Sequence, residues 1–323
     1  MRRILNVIGF VVMLFSLVSC ERSSSFETSE EMVRVTFDVS QATKSTSEAS
    51  MDRIRRMDVF VFLSETGEII SYDSIEEGSI SFYLQRGIQH DCCFIVNAPA
   101  GSFNGIRNYS DLKAKISSFS DNLDRFVMQG EVSRIFLADG HLEVEVSRLC
   151  SKIVVDNLVP KFMDSAISQS SVIFRRVFLM NTSPVLTYFG DYTDPDFLYN
   201  STGYDEDLNL YIRNHLSCEY HTPLFDSSAK KIDSALYCYS ADAEGADISV
   251  TKLVFELEIA GKLNYYTVLF PALKPNHEYH IETIRLLGFG SPIPGEVFDR
   301  TEISFVVSVN PWEESVHKDT VME

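Results

Sequence analysis

From residue 32 the chain alternates apolar and polar positions with a period of two. Val33, Val35, Phe37 and Val39 are separated by Arg34, Thr36 and Asp38, which predicts a half-buried strand. A Ser/Thr-rich loop follows over residues 41–50. Met57 to Leu63 is a β-branched and aromatic run closed by the turn Glu65-Thr66-Gly67, with Ile69 to Tyr72 as its hairpin partner. Ser79 to Leu84 alternates again, and Cys92 to Val96 reads as a short buried strand. One helix is predicted in this half: Ser110 as cap, Asp111 at the positive end of the dipole, and Leu112, Ile116 and Phe119 on one face. Strands resume at Arg134 to Leu137 and Leu142 to Val146, split by the turn Asp139-Gly140, and a longer one is expected from Arg148 to Leu158. Beyond it come Val172 to Met180 and then a polar and aromatic excursion from Asn181 to Phe225. That length is unusual for a loop without function or small elements of its own. Ala235 to Tyr239, Val250 to Ile259, Tyr265 to Phe270, Tyr279 to Leu287 and Glu302 to Val309 complete the pattern. Many short strands, regular turns and few helices predict an all-β protein with minor α, built as β-sandwiches.

The first 19 residues do not fit that pattern. Arg2 and Arg3 precede an apolar run, Ile4 to Leu17, which ends in Leu17-Val18-Ser19-Cys20. A basic start, an apolar middle and small residues at the end describe a secretory signal peptide, and the run falls short of the ~20 apolar residues a spanning helix needs. Leu-x-small-Cys resembles the bacterial lipobox, so cleavage before Cys20 and lipidation of that cysteine are expected. Residues 20–31, acidic and polar after the cysteine, read as a lipidated tether. The expected division is 1–19 signal peptide, 20–31 tether, 32–147 N-terminal β-sandwich and 148–323 C-terminal β-sandwich.

Charge narrows the partners. A formal net charge of −18 opposes nucleic acid and charge-driven binding to anionic lipid, which leaves the N-terminal lipid as the membrane contact. After Cys20, five cysteines remain: Cys92, Cys93, Cys150, Cys218 and Cys238. An odd count cannot pair fully, so the choice lies between one bridge, with Cys218–Cys238 the candidate, and five buried thiols.

Catalytic patterns are missing. No two of the seven histidines have the spacing of a zinc helix, there is no Gly-x-Ser-x-Gly elbow, and Gly288-Phe289-Gly290 lacks the third glycine of a phosphate loop. The reading is therefore of a non-enzyme without a cofactor. Asp191, Asp194 and Asp196 could offer oxygen ligands to calcium, against the commoner reading of a solvated acidic loop. Tyr188, Phe189, Tyr192, Phe197, Tyr199 and Tyr204 interleave with them and could stack on sugar, meet a partner, or simply pack the loop down. Asp73-Ser74-Ile75, Asp164-Ser165-Ala166, Asp233-Ser234-Ala235 and Asp319-Thr320-Val321 match a short O-glycosylation pattern.

Several ordered segments carry a family resemblance: the lipobox; the strands Val33 to Val39 and Val59 to Leu63; Phe126-Val127-Met128-Gln129-Gly130; Ser147 to Ile153; Leu273-Lys274-Pro275-Asn276-His277-Glu278-Tyr279-His280-Ile281; Gly288 to Gly295; and Ser308-Val309-Asn310-Pro311-Trp312. In that order the chain resembles the fimbrial anchor and accessory lipoproteins of Bacteroidales, the FimB/Mfa type. The resemblance implies two transthyretin-like β-sandwich domains on a lipid anchor at the outer membrane, exposed at the surface and holding, capping or accessorising a pilus. It also implies partners that are pilus subunits joined by strand exchange. Glu302 to Val309 is a candidate exchange strand, or it completes its own domain. A second reading is a surface glycan-binding lipoprotein of a polysaccharide-uptake system, with residues 188–204 meeting glycan or host surface.

Overall fold

The computed structural model describes residues 31–41, 51–76, 78–168, 171–240, 250–270, 273–297 and 303–312. Cys20, the signal peptide, the tether up to residue 30 and Asp319-Thr320-Val321 lie outside the described residues.

Strands β1 (Met32–Gln41), β2 (Met57–Leu63), β3 (Ile69–Ile75), β4 (Ile80–Gln85), β5 (Gln89–Val96), β7 (Met128–Ile135) and β8 (Gly140–Arg148) run in the order β3-β2-β5-β7-β8-β1-β4. The path is continuous because β8 serves two neighbours. Residues 140–146 pair in parallel with β1, while Ser147 and Arg148 pair antiparallel with Gln129 and Met128 of β7. Gly130 permits that crossing, since a Cβ there would overlap the Glu145 carbonyl. Alternation on β1 buries Val33, Val35 and Phe37, as its period requires. The Phe37 ring meets Phe94 of β5 edge-on at 5.3 Å and Phe136 at 6.1 Å, which ties the two layers together.

The second sandwich pairs a four-stranded antiparallel sheet with a mixed one. The first contains β10 (Val172–Met180), β12 (Ser217–Leu224), β14 (Thr251–Ile259) and β15 (Lys262–Phe270), in the order β12-β10-β14-β15. The second contains β9 (Ser151–Pro160), β13 (Lys230–Cys238), β16 (His277–Leu286) and the terminal β17 (Ile303–Ser304) and β18 (Val307–Pro311). Here β16 runs parallel to β9, and β17 and β18 lie antiparallel on its other side. A small sheet joins the halves: β6 (Ile116–Ser118) pairs with β11 (Val185–Thr187). The Tyr239 hydroxyl, buried beside it, bonds Ser117 Oγ at 2.8 Å and accepts from Asn122 Nδ2 at 2.6 Å.

Three sequence expectations are corrected, and the long excursion carries the small elements its length called for. The helix is α1 (Tyr109–Lys113), capped by Asn108, whose side chain accepts from the Asp111 N–H; Ser110 lies inside it. Ile116 belongs to β6 and is exposed, because pairing with β11 outweighs the local 3.6-residue period. Arg148 to Leu158 is not one strand, since the chain bends at Leu149-Cys150 between β8 and β9. The excursion 181–225 holds β11, β12 and a helix, Leu210–Leu216, while α2 (Ser165–Ser168) precedes β10 and the 210–216 helix is α3. The last strand is two, interrupted at Phe305-Val306.

The Cys218–Cys238 bridge is not formed. Cys238 is fully buried on β13, near enough to Cys150 to affect its ionisation, whereas Cys218 is half-buried on β12 of the other sheet.

Candidate functional site

Four of the ordered sequence segments converge on Arg148, at the end of β8. Its Nε and Nη2 donate to Asp52 Oδ1 and Oδ2, both at 2.7 Å, and both side chains are 3% exposed. Its Nη1 donates to Asn276 Oδ1 and to the Trp312 carbonyl, both at 3.2 Å. The guanidinium lies 4.4 Å from the Trp312 ring centre. Burying an ion pair costs several kcal/mol per ion, roughly, and is tolerable only where the donors and acceptors are satisfied, as the two-pronged geometry achieves here.

Asn276 carries the other half of the junction. Its φ is 55°, a left-handed conformation that asparagine adopts more readily than most residues. That turn lets its N–H donate to the Cys150 carbonyl at 3.0 Å while its own carbonyl accepts from the Trp312 N–H at 2.8 Å. The asparagine of Lys274-Pro275-Asn276 thus has a backbone reason and a side-chain reason. Trp312 completes the arrangement: its ring meets Phe126 edge-on at 5.0 Å and stacks on Tyr237 at 5.6 Å, and Lys152 Nζ lies 5.5 Å from the ring centre. Lys152 also pairs with Glu278 at 3.1 Å.

Immediately before Trp312 the packing changes. β18 pairs five residues with β16, placing Val307 opposite Ile281 and Val309 opposite Tyr279. Directly opposed residues of an antiparallel pair point to the same face, so both valines turn toward the sandwich interior. Val309 is nevertheless 52% exposed, and Val306 beside it 78%. A largely apolar groove of about 460 Å³ opens there, between β18 and the end of β15, lined by Leu269, Phe270, Tyr279, Val307, Val309 and Pro311 together with Lys274 and His277. Among the described residues no strand pairs with the outer edge of β18.

The opposite terminus is built differently. Glu31 is the first described residue; its carbonyl accepts from the Arg86 N–H, and its carboxylate pairs with the Arg86 guanidinium. From Met32 the chain enters β1, between β4 and β8.

The other candidates separate from this region. Asp191, Asp194 and Asp196 are all exposed, and among the described residues no three His, Cys, Asp or Glu side chains gather to hold a metal. Asp191 instead closes a turn with Thr187, whose hydroxyl accepts from the Asp191 N–H at 3.0 Å. The aromatic loop mostly packs down. Tyr188 is 1% exposed, Phe189 lies under Lys113 Nζ at 3.6 Å, Tyr199 packs on Phe119, and Tyr204 covers the Arg176 guanidinium at 4.0 Å; Phe197 is the well-exposed ring. Cys92, Cys93, Cys150 and Cys238 are buried, and burial pushes the Cys92 thiol up to about 12, so it stays protonated and poorly nucleophilic at neutral pH.

Sequence reasoning missed Asp52. The one local signal was an acid placed before the arginine-rich stretch Arg53-Ile54-Arg55-Arg56, where its partner lies 96 residues away.

By sequence, the chain matches no family model and no curated protein. By structure it is similar to a candidate cell adhesion protein from Bacteroides eggerthii, with TM-score 0.65, 16% identity, and 88% of this chain and 98% of that one covered. A second candidate cell adhesion protein, from Parabacteroides distasonis, gives TM-score 0.64 and 14% identity over 91% of this chain and 99% of the other. A fimbrilin from Porphyromonas gingivalis gives TM-score 0.61 and 12% identity over 88% and 99%. The chain therefore has the two-sandwich fold of Bacteroidales fimbrial and adhesion proteins, as its sequence resemblance implied.

Proposed function

We propose that this protein is a non-enzymatic fimbrial anchor or accessory subunit, tethered to the outer membrane by lipid on Cys20 and joined to pilus subunits by strand-type contacts. The observation that carries the reading is the terminal edge: β18 lies on β16 beside a largely apolar groove, and among the described residues no strand covers its outer edge. An edge of this kind receives an extended segment through main-chain hydrogen bonds, and the groove offers pockets to alternate side chains. The fold shared with a fimbrilin supports the same assignment.

The division of labour follows from the chain's two ends. Twelve residues, Cys20 to Glu31, precede β1; fully extended, such a tether reaches on the order of 40 Å. It connects the lipid to a strand of the first sandwich that has a neighbour on each side, while the terminal edge belongs to the second. Glycan binding has less support, because most rings that would form its platform are packed against the protein.

The test is capture from native outer membranes. The full chain should recover pilus subunits, and a chain lacking residues 303–312 should remain in the membrane fraction and recover a clearly different amount: less if the incoming segment adds to β18, more if it replaces β18 on β16. Equal recovery by both would remove the terminal edge from the mechanism, and no recovery by either, with unchanged fimbriation in a deletion strain, would remove the fimbrial assignment. Cys20→Ala should leave the protein unlipidated by mass spectrometry and soluble after export.

A further inference from the structure

We infer that Trp312 is a latch: among the described residues this one ring is the main apolar hold on the terminal strand besides its ladder with β16, and its withdrawal frees the β16 edge for an extended peptide with apolar residues at alternate positions. The inference rests on the strand-contact reading above and gives it a control point.

The packing of the segment divides sharply. Ser308, Val309, Asn310 and Pro311 are exposed and Val307 is half-buried, yet Trp312 is 2% exposed. Main-chain bonds to β16 hold β18 in register, but the apolar burial of the segment is concentrated in its last described residue. A strand with little buried face is held chiefly by whatever fixes its end.

The socket is complete without the plug. Arg148 keeps both bonds to Asp52 and its bond to Asn276 Oδ1 when the Trp312 carbonyl leaves. Phe126 and Tyr237 contact each other at 5.2 Å independently of the indole. No buried charge is orphaned by withdrawal, so the seat survives in either state. What is lost is ring stacking, the guanidinium–indole contact, two hydrogen bonds to the Trp312 backbone and the five-residue ladder of β18 on β16, which an incoming strand re-forms. What is gained is access to the β16 edge opposite Tyr279 and Ile281 and to the groove beside Phe270.

The occupant must resemble what it replaces. Val307 and Val309 face the groove at alternate positions, with Ser308 between them facing out. An incoming strand therefore needs apolar residues two apart, and the probe of known fit is the chain's own segment, Ile303 to Pro311.

Trp312 is the chain's one tryptophan, so intrinsic fluorescence reports the latch alone. The experiment adds a dye-labelled synthetic peptide of residues 303–311 to the purified full chain and to Trp312→Ala and Trp312→Phe, with circular dichroism confirming that each is folded. Trp312→Ala should bind the peptide at least tenfold more tightly than the wild type, and Trp312→Phe, which keeps an aromatic plug, should return most of the way to wild-type behaviour. In the wild type, tryptophan emission should shift to the red at a denaturant concentration below that of global unfolding. The amides of residues 307–311 should exchange with solvent together, before those of β9.

Peptide binding equal in all three proteins would overturn the latch, as would emission and exchange that change only with global unfolding. The exchange measurement needs no variant and decides the matter if Trp312→Ala fails to fold. Because no pilus subunit is present, peptide capture here with no capture from membranes would overturn the pilus assignment alone.

Discussion

The first and last strands of the described fold make opposite uses of similar sequence. β1 and β18 both alternate valine with polar residues. β1 has a neighbour on each side and buries Val33, Val35 and Phe37 almost completely, while among the described residues β18 has one neighbour and leaves Val309 mostly in solvent. Alternation specifies which side chains share a face; the number of neighbours decides whether that face is covered. A tethered protein benefits from this asymmetry. If residues 20–31 form the proposed tether, load through them meets a strand paired on both sides, whose two ladders must shear together, whereas the far terminus presents the strand proposed to be displaced.

The sharpest way to break the comparison is to damage β1. Phe37→Ala removes a fully buried ring that contacts Phe82, Phe94 and Phe136. A loss of about 3–5 kcal/mol is expected for such a truncation, read as a lower urea midpoint with an unchanged slope. A loss below about 1 kcal/mol would mean that β1 is not integral to the first sandwich.

The next effect acts at the junction that holds β18. Asn276→Ala removes an acceptor from buried Arg148 and puts an alanine at φ 55°. Together these should cost about 1–3 kcal/mol. Asn276→Gly keeps the backbone conformation and loses only the amide, so it should cost less. In both variants the emission of Trp312 should shift to the red. Full stability with unshifted emission in Asn276→Ala would detach Asn276 from the latch.

These two sites also differ in how far sequence exposes them. β1 and β2 are legible because a strand's pattern lies within its own residues: period two in one, a continuous β-branched and aromatic run in the other. The segments around Arg148 were visible as pieces of a family resemblance, but their convergence was not. Arg148 and Asp52 are 96 residues apart, and an ion pair leaves no periodicity in either segment. The predicted helix ends early for a related reason. Leu112, Ile116 and Phe119 satisfy a helical period, but Ile116 is taken into a ladder with Thr187, which no local window contains. The split between β17 and β18 was likewise hidden, because Ile303, Phe305, Val307 and Val309 continue the alternation through Phe305-Val306, where the strand is interrupted.

Acid should sharpen the contrast by acting on the first sandwich. His90 is fully buried on β5, 6.0 Å from Phe136, a ring that also packs on Phe37. Burial lowers its pKa below the ordinary value near 6.5, outweighing the opposing effects of the Ile88 backbone and Asp91. The unfolded chain therefore binds a proton that the folded one refuses. His90 favours the fold above about pH 6.5; that contribution declines as pH falls toward the folded pKa and is level below it. Urea midpoints of the wild type and His90→Leu should diverge over that window and run parallel outside it. Asp121 and Glu256, raised by burial, act in the opposite sense in the lower range around the carboxylate values, and the His90→Leu comparison cancels them. A constant difference between the two proteins from pH 7 to pH 5 would show that His90 does not titrate with folding.

The smallest expected effect is the most specific to β18. Val309→Ala removes two methyl groups that point toward the groove but stay 52% exposed. Because little surface leaves water there on folding, the stability cost should be within about 0.5 kcal/mol, as for a surface change. The same substitution in the 303–311 peptide should weaken its capture by Trp312→Ala more than it weakens the intact protein, since an incoming strand depends on its own alternate side chains for affinity and has no Trp312 to fix its end. The two measurements thus separate a strand held by its face from a strand held by its terminus. If Val309→Ala cost as much as a buried valine, the terminal strand would be core like β1, and the asymmetry between the two ends of the chain would disappear.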